Sequence, residues 1–265
     1  MHKKPVVVLL TDFGLEDTFV GVMKGVILSI CPDAAIIDLT HAVGSQNVRQ
    51  AAFCLERSIP FFPDGSIFVC VVDPGVGTER RALAVSDGSR CFIAPDNGLL
   101  TPVIDANPAA SCFTITDPGF MLASRSATFH GRDVFSPAAA HLASGIPITD
   151  LGERIETAAC VRIQPYSNST VDGGLNWTGE IISIDHFGNL ITTFDEALVG
   201  DPSSWTVSAG NGKKIGILKT YADAEINAPL AYIGSSGMLE IAVRNGNAAS
   251  ALQVSEHDPV TLAKR

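Results

Sequence analysis

Charged and hydrogen-bonding side chains in this 265-residue chain recur at the ends of apolar runs. Asp12, Asp17, Asp38, His41, Asp73, Arg80, Asp96, Asn97, His130, Arg132 and Asp133 all stand just beyond such a run. The densest case is Ser66-Ile-Phe-Val-Cys-Val-Val72, which stops at Asp73-Pro74-Gly75 and is followed by Gly77. A run that is apolar at every position fits a strand buried on both faces. Pro74 cannot continue the ladder, and Gly75 and Gly77 permit backbone angles that other residues avoid. Asp73 is therefore expected at the carboxyl end of a central strand, where open α/β sheets bind ligands. Arg80, seven residues on, can fold back across the turn toward that carboxylate.

Each of these residues also has a purely structural reading. Asp73 can cap its own turn, Asp17 can be a helix N-cap, and Asp96-Asn97-Gly98 is a turn sequence whose Asn97 could also reach a ligand. Asp133 can cap a following helix, Arg132 can serve as an ion-pair partner, and His130 can be a hydrogen-bonded structural residue. Taken together, so many polar groups at strand ends point to a crevice site. The chain lacks G-x-G-x-x-G after its first strand, G-x-x-x-x-G-K-[ST] and the G-x-S-x-G elbow. The carboxylates Asp12, Asp17, Asp38 and Asp73 with His41 and His130 could hold a divalent metal, as in a nucleotide phosphohydrolase.

The elements that position these groups alternate. Residues 5–10 read as a first buried strand, 17–30 as a helix stopped by Pro32, and 35–39 as a second strand. A helix over 47–58 precedes the strand 66–72; a further strand 82–86 leads through an Asp87-Gly88 hairpin turn to 91–94. A helix is expected to begin over 99–104, then a strand over 111–116 and a helix over 134–144. This alternation predicts an α/β fold with a largely parallel sheet. Past residue 165 the pattern changes to short β-type runs: 178–184, 190–194, 204–208, 214–219, 230–233, 238–243, 251–255 and 259–262. The expected organisation is an α/β sandwich domain over 1–165 and a smaller all-β, barrel-like domain over 166–265. Three turns in the second domain, Asp185-His-Phe-Gly-Asn189, Gly234-Ser-Ser-Gly237 and Asn245-Gly-Asn247, suit β-hairpins and also offer hydrogen bonds to a polar ligand head.

Bulk composition narrows the partners. Charged residues make up 17% of the chain and hydrophobic ones 46%, against a usual charged share of about 25%. A large core and an oligomer interface are the expected use of that surplus. The net charge of −10 comes without a basic cluster and argues against nucleic acid, leaving a small-molecule substrate as the expectation. The six cysteines contain no C-x-x-C pair, so free thiols in a reducing cytoplasm are expected rather than disulfides. The apolar run after Lys3-Lys4 ends at Thr11-Asp12, too short for a signal peptide core or a membrane span.

Seven motifs occur in order: Thr11-Asp-Phe-Gly14, Asp38-Leu-Thr-His41, Val72-Asp-Pro-Gly-Val-Gly-Thr78, Ala94-Pro-Asp-Asn-Gly98, Phe129-His-Gly-Arg-Asp133, Asp185-His-Phe-Gly-Asn189 and Gly246-Asn-Ala248. Together they resemble the S-adenosyl-L-methionine hydroxide adenosyltransferases, relatives of fluorinases and chlorinases. The resemblance implies hydrolysis of S-adenosylmethionine to adenosine and methionine by hydroxide attack on the ribose 5′ carbon, with no metal or other cofactor. It implies an N-terminal α/β domain, a C-terminal β-barrel, and a homotrimer with sites between neighbouring subunits. The family's Asp–Arg–His set maps to Asp73, Arg80 and His130; Arg81 is the weaker claimant because the family arginine sits at Arg80. Asp12 would bind the ribose hydroxyls and Asn189 the adenine edge. Asp185 and Ser235 would hold the amino acid group, with Tyr221 stacking near the adenine and Ala248 giving it a backbone contact. Halogenases carry hydroxyls at positions filled here by Val76 and Gly131, and Asp73 would repel a bare anion, so water is the expected nucleophile. Two other readings are a metal-dependent phosphohydrolase and a non-catalytic adenosyl-ligand sensor.

Overall fold

Val7, Val8, Leu9 and Leu10 are fully buried, and with them begins a strand that has core on both sides. The structure, a computed structural model, describes residues 4–164, 166–170 and 172–265. It divides into two units, residues 1–164 and 165–265. In the first, β1 (Val6–Thr11), α1 (Phe19–Ile30), β2 (Ala35–Thr40), α2 (Val48–Ser58), β3 (Ile67–Val71), β4 (Ala82–Ser86) and β5 (Cys91–Pro95) follow in order. α3 (Thr101–Ala106), β6 (Ser111–Thr114), α4 (Ser136–Ala143) and β7 (Arg154–Ile155) complete it. The seven strands form one sheet in the order β2-β1-β3-β5-β4-β6-β7.

Alternation along the strands sorts the core into two layers. Val8, Leu10, Phe68, Cys70 and Val72 face Ala51 and Leu55 of α2 and Val103 and Ile104 of α3. Val7, Leu9, Ile67, Val69 and Val71 face Val20, Met23 and Ile27 of α1 and Ala138–Ala140 of α4. All five residues of β3 are buried, as a central strand covered on both faces requires.

The pairing is parallel from β2 through β1 and β3 to β5, and antiparallel from β5 through β4 and β6 to β7. The reversal comes from the Asp87-Gly88 turn: Asp87 Oδ1 accepts Ser89 N at 2.8 Å and Arg90 N at 2.6 Å, and Gly88 takes φ +93°. Helix starts differ by a residue or two from the sequence pattern. α1 begins at Phe19 with Thr18 at its N-cap, so Asp17 does not cap it. Asn47 stands outside α2 as its cap and accepts Gln50 N. The segment expected as one helix over 134–144 is a wide π turn, Gly131–Phe135, running into α4.

The second unit holds β8 (Ser169–Thr170), β9 (Asn176–Ile184), β10 (Leu190–Asp195), α5 (Glu196–Val199), β11 (Trp205–Ala209) and β12 (Ile215–Gly216). β13 (Pro229–Ile233), β14 (Met238–Val243), α6 (Ala248–Leu252) and β15 (Pro259–Lys264) follow. Its sheet runs β12-β11-β15-β9-β10-β14-β13, with β8 on β9. A parallel bridge from Ile217 to Ala231 draws the two ends together into a nearly closed barrel. Ile181, Leu190, Phe194, Val207, Leu239, Ile241 and Leu262 fill it. The run 251–255 is not a strand. Asn247 accepts Ser250 N and caps α6, and Gln253 turns left-handed at φ +55°. Alanine at 248, 249 and 251 favours helix there, and the cap fixes where it starts. Among the described residues no helix is long and apolar enough to cross a membrane.

Candidate active site

Beyond β3 the chain makes two overlapping turns, with Val76 N donating to Asp73 O at 3.2 Å and Thr78 N to Gly75 O at 3.1 Å. Thr78 Oγ1 also donates to Gly75 O at 2.7 Å and accepts Arg80 N at 3.3 Å. The coil returns Arg80 to the strand end. Its Nε donates to both Asp73 oxygens at 3.0 Å, and Nη2 donates to Oδ2 as well. Both side chains are nearly sealed, at 5% exposed for Asp73 and 10% for Arg80. Asn97 Nδ2 donates to Val72 O at 2.8 Å and so fixes the strand end from the neighbouring turn.

Arg80 Nη2 lies 2.8 Å from His130 Nδ1. A guanidinium only donates. His130 Nδ1 therefore accepts, and the neutral ring carries its proton on Nε2. Burial, then the Arg80 charge, hold the imidazole below its usual 6.5, because both disfavour the cationic form. His130 precedes the π turn, whose Gly131 is closely packed: a Cβ would lie 3.2 Å from the Phe129 ring and 3.3 Å from Met23 Sδ and Phe13. Asp133, fully buried, binds Arg132 Nε at 2.6 Å and Ser126 N at 2.7 Å. That anchors the segment leading into His130.

A cavity of about 310 Å³ opens on this set, lined by Asp12, Asp73, Val76, His130 and Gly131 among others, with Phe13, Phe19 and Phe129. The three rings pack on one another at centroid separations of 5.1–5.9 Å. Arg80 is not among the lining residues; it lies behind Asp73 and His130, with its guanidinium 5.3 Å from the centre of the Phe135 ring. Asp12 accepts Gln46 N at 2.8 Å through Oδ2. Arg81 pairs elsewhere, with Asp96 Oδ2 at 2.8 Å and with Ala159 O.

In the second unit, Asp185 Oδ1 accepts Phe187 N at 2.9 Å and Asn189 N at 2.8 Å, and Oδ2 accepts Asn189 Nδ2 at 2.8 Å. These bonds orient the Asn189 amide, leaving its Oδ1 and the second Nδ2 hydrogen to pair. Asn189 and Tyr221 line a cavity of about 500 Å³ with Phe187, Asn245 and Gly246. The Tyr221 hydroxyl donates to Val243 O at 3.0 Å and accepts Asn245 N at 2.7 Å, so the ring is locked and only its face is available. Asp185, Ser235 and Ala248 do not line that cavity. Ser235 is exposed on its turn, whereas Ala248 is fully buried at the start of α6. Gly188 joins the two regions closely: at φ +84°, a Cβ there would lie 2.2 Å from the Asn247 side chain.

The structure thus brings Asp12, Asp73 and His130 to one cavity with Arg80 behind, and Asn189 and Tyr221 to another. Sequence reasoning missed Phe13, Phe19, Gln46, Phe129 and Phe187 as lining residues. Phe187, 72% exposed, did carry a signal: an aromatic residue set in a polar turn. Two of the four carboxylates considered for a metal are held separately, Asp38 by Lys24 and His41, Asp73 by Arg80. Among the described residues no three of His, Cys, Asp and Glu gather as a metal-binding group.

Comparison with known proteins covers nearly the whole chain. Residues 7–152 match the SAM hydroxide adenosyltransferase N-terminal domain and residues 179–261 the SAM hydroxide adenosyltransferase C-terminal domain. The chain is 40% identical to an (R)-S-adenosyl-L-methionine hydrolase of Thermus thermophilus, covering 97% of this chain and 98% of that one. It is 38% identical to one of Salinispora arenicola, with 99% of each covered. A fluorinase of Actinoplanes sp. is 30% identical over 90% of each chain. The crystal structure of an uncharacterized conserved protein from Thermotoga maritima superposes with a TM-score of 0.89 at 36% identity, covering 97% of this chain and 99% of that one. With both domain signatures in order on one chain, and relatives aligned nearly end to end, the chain belongs to the SAM hydroxide adenosyltransferase family.

Proposed function

We propose that this protein hydrolyses S-adenosyl-L-methionine to adenosine and L-methionine, without a metal, by in-line attack of water on the ribose C5′. The observation that carries the reading is the continuous Asp73–Arg80–His130 set, with Asp73 and His130 lining one cavity beside Asp12. A sulfonium departs as a neutral thioether, so no acid is needed to help it leave. The difficulty lies in the nucleophile, since water has a pKa of about 15.7. As the C5′–O bond forms, the C5′–S bond breaks with its electron pair going to sulfur, and water gives up one proton.

Asp73 is the acceptor in this reading. His130 Nδ1 is taken by Arg80, so the ring offers Nε2–H as a donor that orients the water oxygen. Arg80, behind both, fixes their geometry and balances the carboxylate. Val76 and Gly131 contribute no side-chain donor to replace a halide's water, and the Asp73 carboxylate beside them repels an anion, which favours water over halide.

Asp12 holds the ribose hydroxyls. Asn189 reads the adenine edge, between the face of Tyr221 and the exposed ring of Phe187, with Ala248 giving a backbone contact. Asp185 and Ser235 hold the amino acid group. The α/β unit, taken as residues 1–165, carries the reacting groups; the β unit, 166–265, carries the adenine and methionine contacts. A cytoplasmic homotrimer is the proposed assembly, supported by the family it belongs to and by the low charge content.

Incubation with S-adenosylmethionine and EDTA in ¹⁸O-labelled water tests the chemistry. The expected result is equimolar adenosine and methionine, with the label on the adenosine 5′ oxygen. Release abolished by EDTA, or binding without turnover, would overturn it in favour of the phosphohydrolase-like or sensor reading respectively.

A further inference from the structure

His41 is 2% exposed at its side chain, and every polar atom of its ring is engaged. Nε2 lies 3.0 Å from Asp38 Oδ1, and Asp38 Oδ2 is held by Lys24 Nζ at 2.6 Å. A carboxylate only accepts, so Nε2 carries the proton of that bond. The Thr11 hydroxyl is hydrogen-bonded to Nδ1 at 2.8 Å, and its oxygen accepts Phe13 N at 3.2 Å. The backbone carbonyl of His41 accepts Gly14 N at 2.8 Å, where Gly14 takes φ +67°. One residue therefore holds both ends of the bend Thr11–Gly14, and the only residue of that bend with a carboxylate is Asp12. Asp12 in turn is held by Gln46 N, from the loop that follows His41.

We propose that His41 is a positioning residue for Asp12, a buried bridge from the Lys24–Asp38 ion pair to the Thr11 hydroxyl that aims the Asp12 carboxylate into the cavity beside Asp73. The inference rests on the reading of Asp12 as the ribose ligand. Nothing about His41 touches the cavity itself, so its effect must pass through the bend. Misplacing a substrate-positioning group by about 1 Å can cost around 10²-fold in rate. The two halves of the imidazole are separable. Asn carries an acceptor near the Nδ1 position and keeps the Thr11 link; Gln reaches the Nε2 position and keeps the Asp38 link.

The test is a double-mutant cycle on kcat/KM for S-adenosylmethionine, with wild type, His41→Ala, Asp12→Ala and the double variant, and thermal unfolding recorded for each. His41→Ala is expected to lose about 10- to 100-fold, with the double variant no worse than Asp12→Ala. His41→Asn is expected to recover much of that loss and His41→Gln less. Should His41→Ala not fold, the Asn and Gln variants carry the comparison. Losses that multiply in the double variant, or an Asn variant as impaired as the Gln variant, would overturn the positioning role while leaving the hydrolase reading intact. A wild-type protein that turns over no S-adenosylmethionine would sink the hydrolase reading and this inference with it.

Discussion

His130 is fixed by one hydrogen bond to a group that cannot accept. Because Arg80 donates to Nδ1, protonating the ring would set an N–H against a guanidinium N–H and break the bond that aligns it. Burial and the Arg80 charge lower the pKa of His130 below 6.5. Between that lowered value and 6.5 the unfolded chain takes up the proton more readily than the folded one. This histidine therefore costs stability only as pH falls below 6.5, and nothing above it. Activity should follow the same window: kcat/KM is expected to be flat above neutrality and to fall on an acid limb below pH 6.5. His130→Asn, whose amide oxygen can still accept from Arg80 but does not titrate, should run more slowly and lose that limb. A limb unchanged in His130→Asn would place the titration on another group. Asp73 stands differently. Removing a buried carboxylate strands Arg80, at a cost of about 3 to 5 kcal/mol in stability. Its loss as proton acceptor should slow turnover by about 10² to 10⁴-fold. Asp73→Ala is expected to bind S-adenosylmethionine by calorimetry yet scarcely consume it; an undiminished rate would remove Asp73 from the chemistry.

The turn between β3 and β4 converts a strand end into a site by geometry that side chains alone do not supply. Gly77 holds φ +82°, and a Cβ there would lie 2.8 Å from Ala127 O. Ala127 belongs to the segment that leads through Thr128 and Phe129 to His130. Gly77→Ala should therefore cost about 1 to 2 kcal/mol for the left-handed backbone alone, plus displacement of that segment. A lower melting temperature and a fall in kcat are expected together; a variant with normal kcat would show that the 127–130 segment tolerates the shift. Much of this element was legible in the sequence. Pro74, the two glycines and the seven-residue offset to Arg80 are local signals, and local turns follow local rules. The His130–Arg80 bond was not legible from such rules, because it joins residues 50 apart and depends on how α4 packs on the sheet; only the family motif pointed to it. The direction of β4 and β6 was obscure for a similar reason. A buried strand reads as the same apolar run whichever way it pairs. The run 251–255 misled because Leu252 and Val254 alternate like a strand while the Asn247 cap starts a helix.

At the scale of the molecule, each unit encloses its own core. The first sheet is covered on both faces by helices that all lie within residues 1–164, and the barrel of the second is filled by residues 177–262. A unit that buries its apolar surface internally has the means to fold alone. The residues proposed for the chemistry divide along the same line, with Asp73, Arg80, His130 and Asp12 in the first unit and Asn189, Tyr221, Asp185 and Ser235 in the second. In-line attack depends on holding the substrate so that nucleophile and leaving group stay aligned, and the adenine and amino acid ends supply most of the surface by which it can be held. A fragment of residues 1–164 is therefore expected to fold, with a cooperative thermal transition followed by circular dichroism, and to lack measurable hydrolysis of S-adenosylmethionine. A fragment that does not fold would show that the first core needs the second unit to close it. A folded fragment with wild-type turnover would show that the reacting groups capture the substrate unaided, and the roles given to Asn189, Tyr221, Asp185 and Ser235 would fall.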